Sequence, residues 1–385
     1  MNGPFEIVPE ALAGSSAGIR VEIVRTAEAL SALEPDWQQL WAACGALIFQ
    51  SHGWIEGWWL HIADRETRQL LIATAWDGSM LVGVMPLAIH RHRGLRLLEW
   101  AARDHADYCD MLIHPAASPD VTSALWNAVT RQRGYDLILL NRLMPDARAH
   151  ALLTAGERPV LMPNHRSEMS LRVVGPHADG EAWFNAQTKK TRQNYRRGVA
   201  YLSEGAELRF RLLPPDAELE PVLARLAALK RAWLEKMGLD APLFDEGAPL
   251  LGALVETLRR AGQLRIFVLE RGDETIAISI NFIDGRKMMA FVTTYDPAVE
   301  KGSPGMVLMV DYIRWAFDNG LDLVDFLCGA EDFKSRFASE TVTLTSMAGA
   351  ASLVGTAALT TDRLVRFIRT CRAGLAERRA GARAA

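Results

Sequence analysis

The chain has 385 residues, 49% hydrophobic and 23% charged, too many for one ordinary domain and apolar enough for real cores, so two domains are expected. A formal net charge of −3 excludes capture of nucleic acid by bulk charge, and any anionic ligand must be held locally. The cysteines Cys44, Cys109, Cys328 and Cys371 form no CxxC pair, which argues against a zinc site or a disulfide framework and fits a reducing cytoplasm.

Segment 1–20 is Gly/Pro/Ala/Ser-rich and reads as loose, without the basic flank and apolar run of a signal peptide. No stretch reaches the roughly 20 apolar residues of a spanning helix, so a soluble chain is expected. From Ala27 to Cys44 the residues Leu30, Leu33, Trp37, Leu40 and Trp41 recur at helical spacing. A second helix follows Phe49-Gln50-Ser51, with Ser51 as N-cap and Trp54, Trp58 and Ile62 on one face. The period then shortens, and 69–76 and 80–90 read as strands around Asp77-Gly78, with further strands at 96–101 and 108–114. A helix over 120–133 stopped by Gly134 and a strand over 136–140 complete the first half.

Helices over 182–203 and 217–237 intervene, and then the first order returns. Strands 264–270, 275–282 and 287–294 precede a helix over 305–318, stopped by Asn319-Gly320. A strand over 321–327, a short helix near 331–337 and a strand over 341–347 follow. His114-Pro115 stands to Asp296-Pro297 at an offset of 182 (296 − 114). Gly134-Tyr135-Asp136-Leu137 stands to Gly320-Leu321-Asp322-Leu323 at 186 (320 − 134). Matched order at near-equal offsets predicts a duplicated α/β unit, a mixed sheet flanked by helices, divided into 21–165 and 166–347 with a helical tail over 348–385.

Several places carry residues suited to chemistry. In the loop from Tyr295 to Gly305, Gly302 and Gly305 let backbone approach a ligand, Pro304 costs no needed donor, and the helix N-terminus offers unpaired N–H groups. Lys301, Gly302, Ser303 and Gly305 are therefore phosphate-binding candidates, though such a loop also serves simply to cap a helix. Glu331 and Lys334 share a helix face, either as proton acceptor and anion holder or as a surface ion pair worth under about 1 kcal/mol. Asp325 stands at a strand's carboxyl edge, placed for a pocket that would raise its pKa or for a solvated face.

On the helix over 182–203, Lys189, Arg192 and Arg196 fall on one stripe and Lys190, Asn194 and Arg197 on the next, with Tyr195, Val199 and Leu202 toward the core. That pattern is an anion-binding wall or a solvated face. The histidines show no HxxxH pair and no carboxylate at ligand spacing, so no metal is expected, and usable GxSxG, P-loop and GxGxxG motifs are absent. After Thr361, an apolar stripe of Leu364, Ile368, Cys371 and Leu375 runs beside Arg363, Arg366, Arg369 and Arg372. Such a helix either lies on an anionic membrane or docks on its own protein.

The run Asp325-Phe326-Leu327-Cys328-Gly329-Ala330-Glu331-Asp332-Phe333-Lys334-Ser335-Arg336-Phe337 is joined by Phe49-Gln50-Ser51 with Trp54 and Trp58, and by Lys190-x-Arg192-x-Asn194 with Arg196-Arg197. With the strand order, these resemble the CelD-type acetyltransferase family of the GNAT (acyl-CoA N-acyltransferase) superfamily, whose members are associated with cellulose and other exopolysaccharide synthesis. The likeness covers roughly 49–337 and implies tandem GNAT-like domains, the first degenerate because no glycine-rich loop stands there.

It further implies acetyl-CoA or another acyl-CoA as donor, no metal, an amine-bearing acceptor, no specific nucleic acid, and a peripheral place at the inner face of the membrane or an envelope-synthesis complex. By the same resemblance, backbone near Thr293 and Thr294 polarises the thioester and Lys301, Gly302, Ser303 and Gly305 hold the pyrophosphate. Glu331 or Asp325 takes the amine proton and Tyr295 protonates the leaving thiolate, while Lys334, Phe333, Lys190, Arg192 and Arg196 meet the acceptor. The chain departs from the family at the phosphate loop, where Arg/Gln-x-x-Gly-x-Gly/Ala is met only by Glu300-Lys301-Gly302-Ser303-Pro304-Gly305. That irregular spacing keeps two other classes open. One is a Fem-like transferase using aminoacyl-tRNA, which shares the two-half architecture and a Phe-Lys-x-x-Phe run; the other is a non-catalytic scaffold.

Overall fold

The computed structural model describes residues 18–154 and 159–365. The loose segment read over 1–20 and the tail positions beyond 365 therefore lie almost entirely outside the described residues. The first half begins with β1 (Arg20–Val24), α1 (Ala27–Ser31) and α2 (Glu34–Cys44). These two helices replace the single one expected over 27–44, because Pro35 has no N–H to continue a helix but fits the first turn of a new one. α3 (His52–His61) starts as expected at Ser51, whose hydroxyl accepts the Trp54 N–H at 3.3 Å. The hairpin β2 (Arg68–Asp77) and β3 (Met80–His92) leads to β4 (Leu95–Trp100).

The strand expected over 108–114 shrinks to β5 (Leu112–Ile113). The Asp110 carboxylate instead gathers the N–H groups of Met111, Arg148 and Ala149, which turns the chain out of an extended path. α4 (Asp120–Arg131) and β6 (Leu137–Leu143) complete this half.

The second half runs through β7 (Met162–Pro163), β8 (Glu168–Val174), α5 (Gly180–Ala186) and α6 (Lys189–Leu202). The helix expected over 182–203 is cut in two at Thr188, whose hydroxyl caps α6 by accepting the Thr191 N–H at 3.1 Å. Then come β9 (Leu208–Leu212), α7 (Leu219–Met237), α8 (Pro249–Arg260), β10 (Leu264–Arg271), β11 (Glu274–Asp284) and β12 (Lys287–Tyr295). α9 (Pro304–Asp318), β13 (Leu323–Cys328), α10 (Asp332–Ser335) and β14 (Glu340–Ala350) follow.

The strands form one path, β1-β2-β3-β4-β6-β14-β8-β13-β12-β11-β10-β9, with β5 on β3 and β7 on β14. Each half repeats the other in register. The β2–β3 ladder slips between Ala75↔Gly83 and Trp76↔Leu81, and the β10–β11 ladder slips between Leu269↔Ala277 and Glu270↔Thr275. Both steps are 194 residues apart (269 − 75 and 277 − 83). Each half then makes a parallel pair across a helix, β4 on β6 over Leu97–Glu99 and β12 on β13 over Lys287–Met289. The next-to-last residue of each second strand is forced into the left-handed region, Arg142 and Leu327, both at φ +58°.

The outer strands are exchanged. β8, which follows the first half, pairs with β13, and β14, which follows the second, pairs with β6 through Thr345–Ala350 and with β8 through Glu340–Leu344. A division at 165/166 is thus crossed by one continuous strand.

An aromatic core joins the halves. Phe49 meets Trp54, Tyr108 and Phe282 edge-on at 5.1, 6.2 and 5.7 Å, and Trp54 meets Phe291 at 5.5 Å. Burial of each such ring contributes on the order of 2–3 kcal/mol. The Phe49-Gln50-Ser51 motif is therefore the hinge of this contact. α3 lies against α8, with Gly53 admitting Thr257, whose hydroxyl donates to the Gly53 carbonyl at 3.2 Å. Among the described residues no helix is long and apolar enough to cross a membrane.

Candidate functional site

The second half's parallel pair opens after three residues. β13 pairs with β12 only to Asp325, while β12 runs on to Tyr295. Opposite β11 the register jumps from Asn281↔Ala290 to Ile280↔Val292, so Phe291 is an extra residue in β12. A bulge of this kind removes the extra residue from the ladder and turns its backbone groups toward whatever lies alongside. The backbone expected to face a thioester, at Thr293 and Thr294, lies two and three residues further on, back in register with Ser279 and Ile278. Their side chains are engaged elsewhere or enclosed: Thr293 Oγ1 lies 2.7 Å from Ser279 Oγ, and Thr294 Oγ1 is buried.

A charged cluster sits where β13 ends. Lys334 is buried, and its ammonium donates to the Cys328 carbonyl at 3.0 Å and pairs with Glu331 Oε2 at 2.8 Å. The Glu331 carboxylate lies over Gly329, where a Cβ would fall 2.5 Å from Oε2, and Gly329 also has φ +114°. The positive φ is the demand that calls for glycine, since the carboxylate is the free end of a flexible side chain. Lys230 of α7 is close enough to feel the charges of Glu331 and Lys334, and its ammonium lies over Trp233, 4.4 Å from the ring centroid. Burial lowers the Lys230 pKa and Lys334 adds to the effect, while Glu331 opposes it.

Asp107 comes from the first half. It accepts the Cys328 N–H at 3.2 Å, and burial pushes its carboxyl up to about 6 against the pull of Arg142 and Lys334. The Cys328 thiol donates to the Asp107 carbonyl at 3.0 Å and is held protonated, chiefly by burial and then by Asp107, so it is no nucleophile.

Asp325 does not stand free as a base. It is wholly buried and accepts from Leu327 N–H at 2.8 Å, Ser170 Oγ at 2.8 Å and Arg172 Nε at 2.9 Å. The Tyr108 hydroxyl lies 2.8 Å from both of its oxygens. With its lone pairs occupied, this carboxylate holds the strand end and the first half together. Tyr108, Asp325 and Arg172 also line the wall of a cleft of about 560 Å³ between the halves, whose rim includes Arg148, Lys287, Asp146 and Asp284.

The loop before α9 is less open than its sequence suggests. Gly302 is buried beneath α6, and a Cβ there would fall 2.6 Å from Leu202 and 2.8 Å from Tyr201. Gly198 admits the Gly302 carbonyl from the other side, at 2.6 Å from where its own Cβ would stand. These glycines serve helix packing. Lys301 and Ser303 are exposed, Ser303 takes φ +50° and gives α9 no side-chain cap, and the Tyr295 ring lies against Gly305. Lys190 and Arg196 are exposed on α6, which runs along this loop, and Arg192 is half-buried, its Nε without a hydrogen-bond partner among the described residues. Leu202 is buried and Tyr195 and Val199 pack on the core, as their spacing requires. Phe333 is 47% exposed beside the cluster.

The structure thus gathers Glu331 and Lys334, keeps Asp325 behind them, and leaves the α6 cations on a separate wall. Sequence reasoning missed Lys230, Arg172 and the part played by Asp107 and Tyr108; the polar run His105-x-Asp107-Tyr108-x-Asp110 was the one available signal for the last two. Among the described residues no group of His, Cys, Asp and Glu is arranged to hold a metal ion.

Residues 189–335, from the start of α6 to the end of α10, match the acetyltransferase (GNAT) domain family. The crystal structure of FemX aligns with a TM-score of 0.52 at 10% identity, over 85% of this chain and 96% of that one. The C-terminal domain of a proposed lysylphosphatidylglycerol synthetase from Agrobacterium fabrum aligns with a TM-score of 0.51 at 11% identity, over 87% of this chain and 96% of that one. At such identities the likeness speaks for the fold alone. No curated protein sequence matches the chain. The chain carries a GNAT acetyltransferase domain in its second half and is an acyltransferase of that type, for which the domain implies an acyl-CoA donor.

Proposed function

We propose that the chain transfers an acyl group, in the first instance acetyl, from coenzyme A to an amine acceptor in exopolysaccharide or cell-envelope synthesis, with one donor site in a domain spanning 166–347. The observation that carries this reading is the opening between β12 and β13, with the bulge at Phe291 on one side and the Lys334–Glu331–Lys230 cluster at its mouth. The thioester carbonyl would take hydrogen bonds from backbone freed at the bulge, and the acceptor nitrogen would attack its carbon. The C–N bond forms, the C–S bond breaks, the amine proton passes to Glu331, and Tyr295 returns a proton to the thiolate. The buried Lys334 ammonium stabilises negative charge on the oxygen or on an acidic acceptor. Asp325 acts as a positioning residue.

Lys301, Ser303 and the N-terminus of α9 would meet the pyrophosphate, with Lys190, Arg192 and Arg196 as the adjoining cationic wall. The packing of Gly302 under α6 favours a second reading, in which the donor is not coenzyme A and aminoacyl-tRNA takes its place. Thermal unfolding with acetyl-CoA, longer acyl-CoAs and free coenzyme A decides between them. A ligand at 100 times its Kd adds about 2.7 kcal/mol and raises the melting temperature by a few degrees. A shift with none of them, alongside strongly salt-dependent tRNA binding, supports the second reading.

A further inference from the structure

The described chain closes with a helix over 353–365 that docks through its small and polar side. Gly355 lies so close to the first half that a Cβ there would stand 1.8 Å from the Asp136 carbonyl oxygen. The Ser352 hydroxyl donates to Asp136 Oδ1 at 2.9 Å and accepts the Gly355 N–H at 3.1 Å. Leu359, half-buried, lines a crevice with Met162, Pro163 and Ala348. At helical spacing the opposite face carries Leu353, Ala357 and Leu364, flanked by Val354 and Val365. Those side chains face water: Leu353 is 89% exposed, Val354 and Leu364 56%, and Val365 40%. Val160 and Met162 are exposed as well, and Arg363 reaches Met162 Sδ at 3.4 Å, which ties Met162 to the same patch. A surface helix of a folded domain ordinarily turns its apolar side inward; this one turns it outward.

Charge selects what covers it. Residues 353–385 hold seven arginines against two carboxylates, a net of +5 (7 − 2), so the rest of the chain carries −8 (−3 − 5). The helix over 353–365 is itself neutral, Arg363 against Asp362, and the positive charge follows it in sequence, so a second copy would bring the same cationic stretch alongside. An anionic bilayer instead offers an apolar boundary for the leucines and valines and phosphates for the arginines.

We propose that this helix seats the enzyme on an anionic membrane surface, with Leu353, Val354, Leu364 and Val365 entering the boundary between headgroups and acyl chains. The stripe Ile368, Cys371 and Leu375 continues the same spacing in sequence, outside the described residues. The proposal stands apart from the donor and acceptor of the transfer reaction.

Co-sedimentation of the full chain with phosphatidylglycerol-containing vesicles and with phosphatidylcholine vesicles tests it. The expected result is pelleting with the anionic vesicles, at least tenfold weaker on phosphatidylcholine and reversed by salt. Leu353→Glu with Leu364→Glu lowers the partition at least tenfold, and Arg363→Ala lowers it about fivefold, all with unchanged melting temperature because these side chains stand outside the core. Equal partition into both vesicle types, or no pelleting, overturns the proposal. So does a soluble dimer, seen by light scattering, that Leu364→Glu dissolves.

Discussion

The two halves share a scaffold and part ways at the last registered pair of their parallel strands. In the first half that pair is Glu99↔Leu139, and in the second it is Met289↔Asp325, so each buries one carboxylate at the same level but on opposite strands. Glu99 is enclosed by Arg68, His90 and Arg103 at 3.3–3.4 Å, and its Oε2 finds no hydrogen-bond partner among the described residues. Asp325 is fully bonded by a backbone N–H, a guanidinium and two hydroxyls. β4 stops at Trp100 with an unbroken ladder to β3, whereas β12 runs on through its bulge. The first half thus surrounds its carboxylate with cations, and the second ties its own into a hydrogen-bonded network where the parallel strands part.

The comparison can be broken at several points. Asp325→Ala leaves Arg172 without its partner and should cost about 3–5 kcal/mol in urea unfolding, more than Glu99→Ala, since only the former empties a satisfied network. If the two costs are equal, the contrast between the carboxylates is empty. Lys334→Met should lower kcat by about 10²–10³-fold with the fold retained by circular dichroism, because the ammonium proposed to stabilise negative charge in the transfer is lost. Full activity in that protein would remove the cluster from the chemistry.

Glu99 supplies a pH signature. Burial raises its pKa from 4.5 to about 7, so between those values the folded chain keeps a proton that the unfolded chain has lost. Its contribution to stability is therefore full below 4.5 and lost as pH rises through 7, by up to about 3 kcal/mol. His90, lowered by burial and by Arg68, works in the opposite sense, so the measurement is the difference in melting temperature between the native chain and Glu99→Gln across this window. Gly302→Ala should cost about 1–3 kcal/mol by driving α6 off the loop, read as a lower melting temperature and a smaller shift with acyl-CoA. Lys301→Ala, at an exposed position, should weaken acyl-CoA binding by under about 1 kcal/mol in calorimetry.

Much of the scaffold was legible because its signals are local. Ser51 as a cap, the Asp77-Gly78 turn and the Gly320 stop each act within a few residues of themselves, and the repeat of hairpin, helix and strand follows from them. Glu331 and Lys334 were legible as neighbours for the same reason. The site's other members were not. Asp107 meets Cys328 across 221 positions and Tyr108 meets Asp325 across 217, pairings that no periodicity encodes. Asp325 looked like an edge carboxylate because its partners come from β8 and the first half, which sequence cannot bring alongside. The role of Gly302 was misleading, since a glycine needed for helix packing and one needed for a phosphate leave the same letter.

The strand β14 bears on how the chain comes off the ribosome. It supplies the edge that completes β6 of the first half, yet it is made some two hundred residues later. Until then the first half emerges with β6 unpaired along one side, an open edge of the kind that invites pairing with a neighbouring nascent chain. The first half can therefore collapse early but can close its sheet only when the second is nearly finished. Truncation before Glu340 should release a sticky fragment in place of a shorter enzyme, a matter for chaperones before it is one for catalysis.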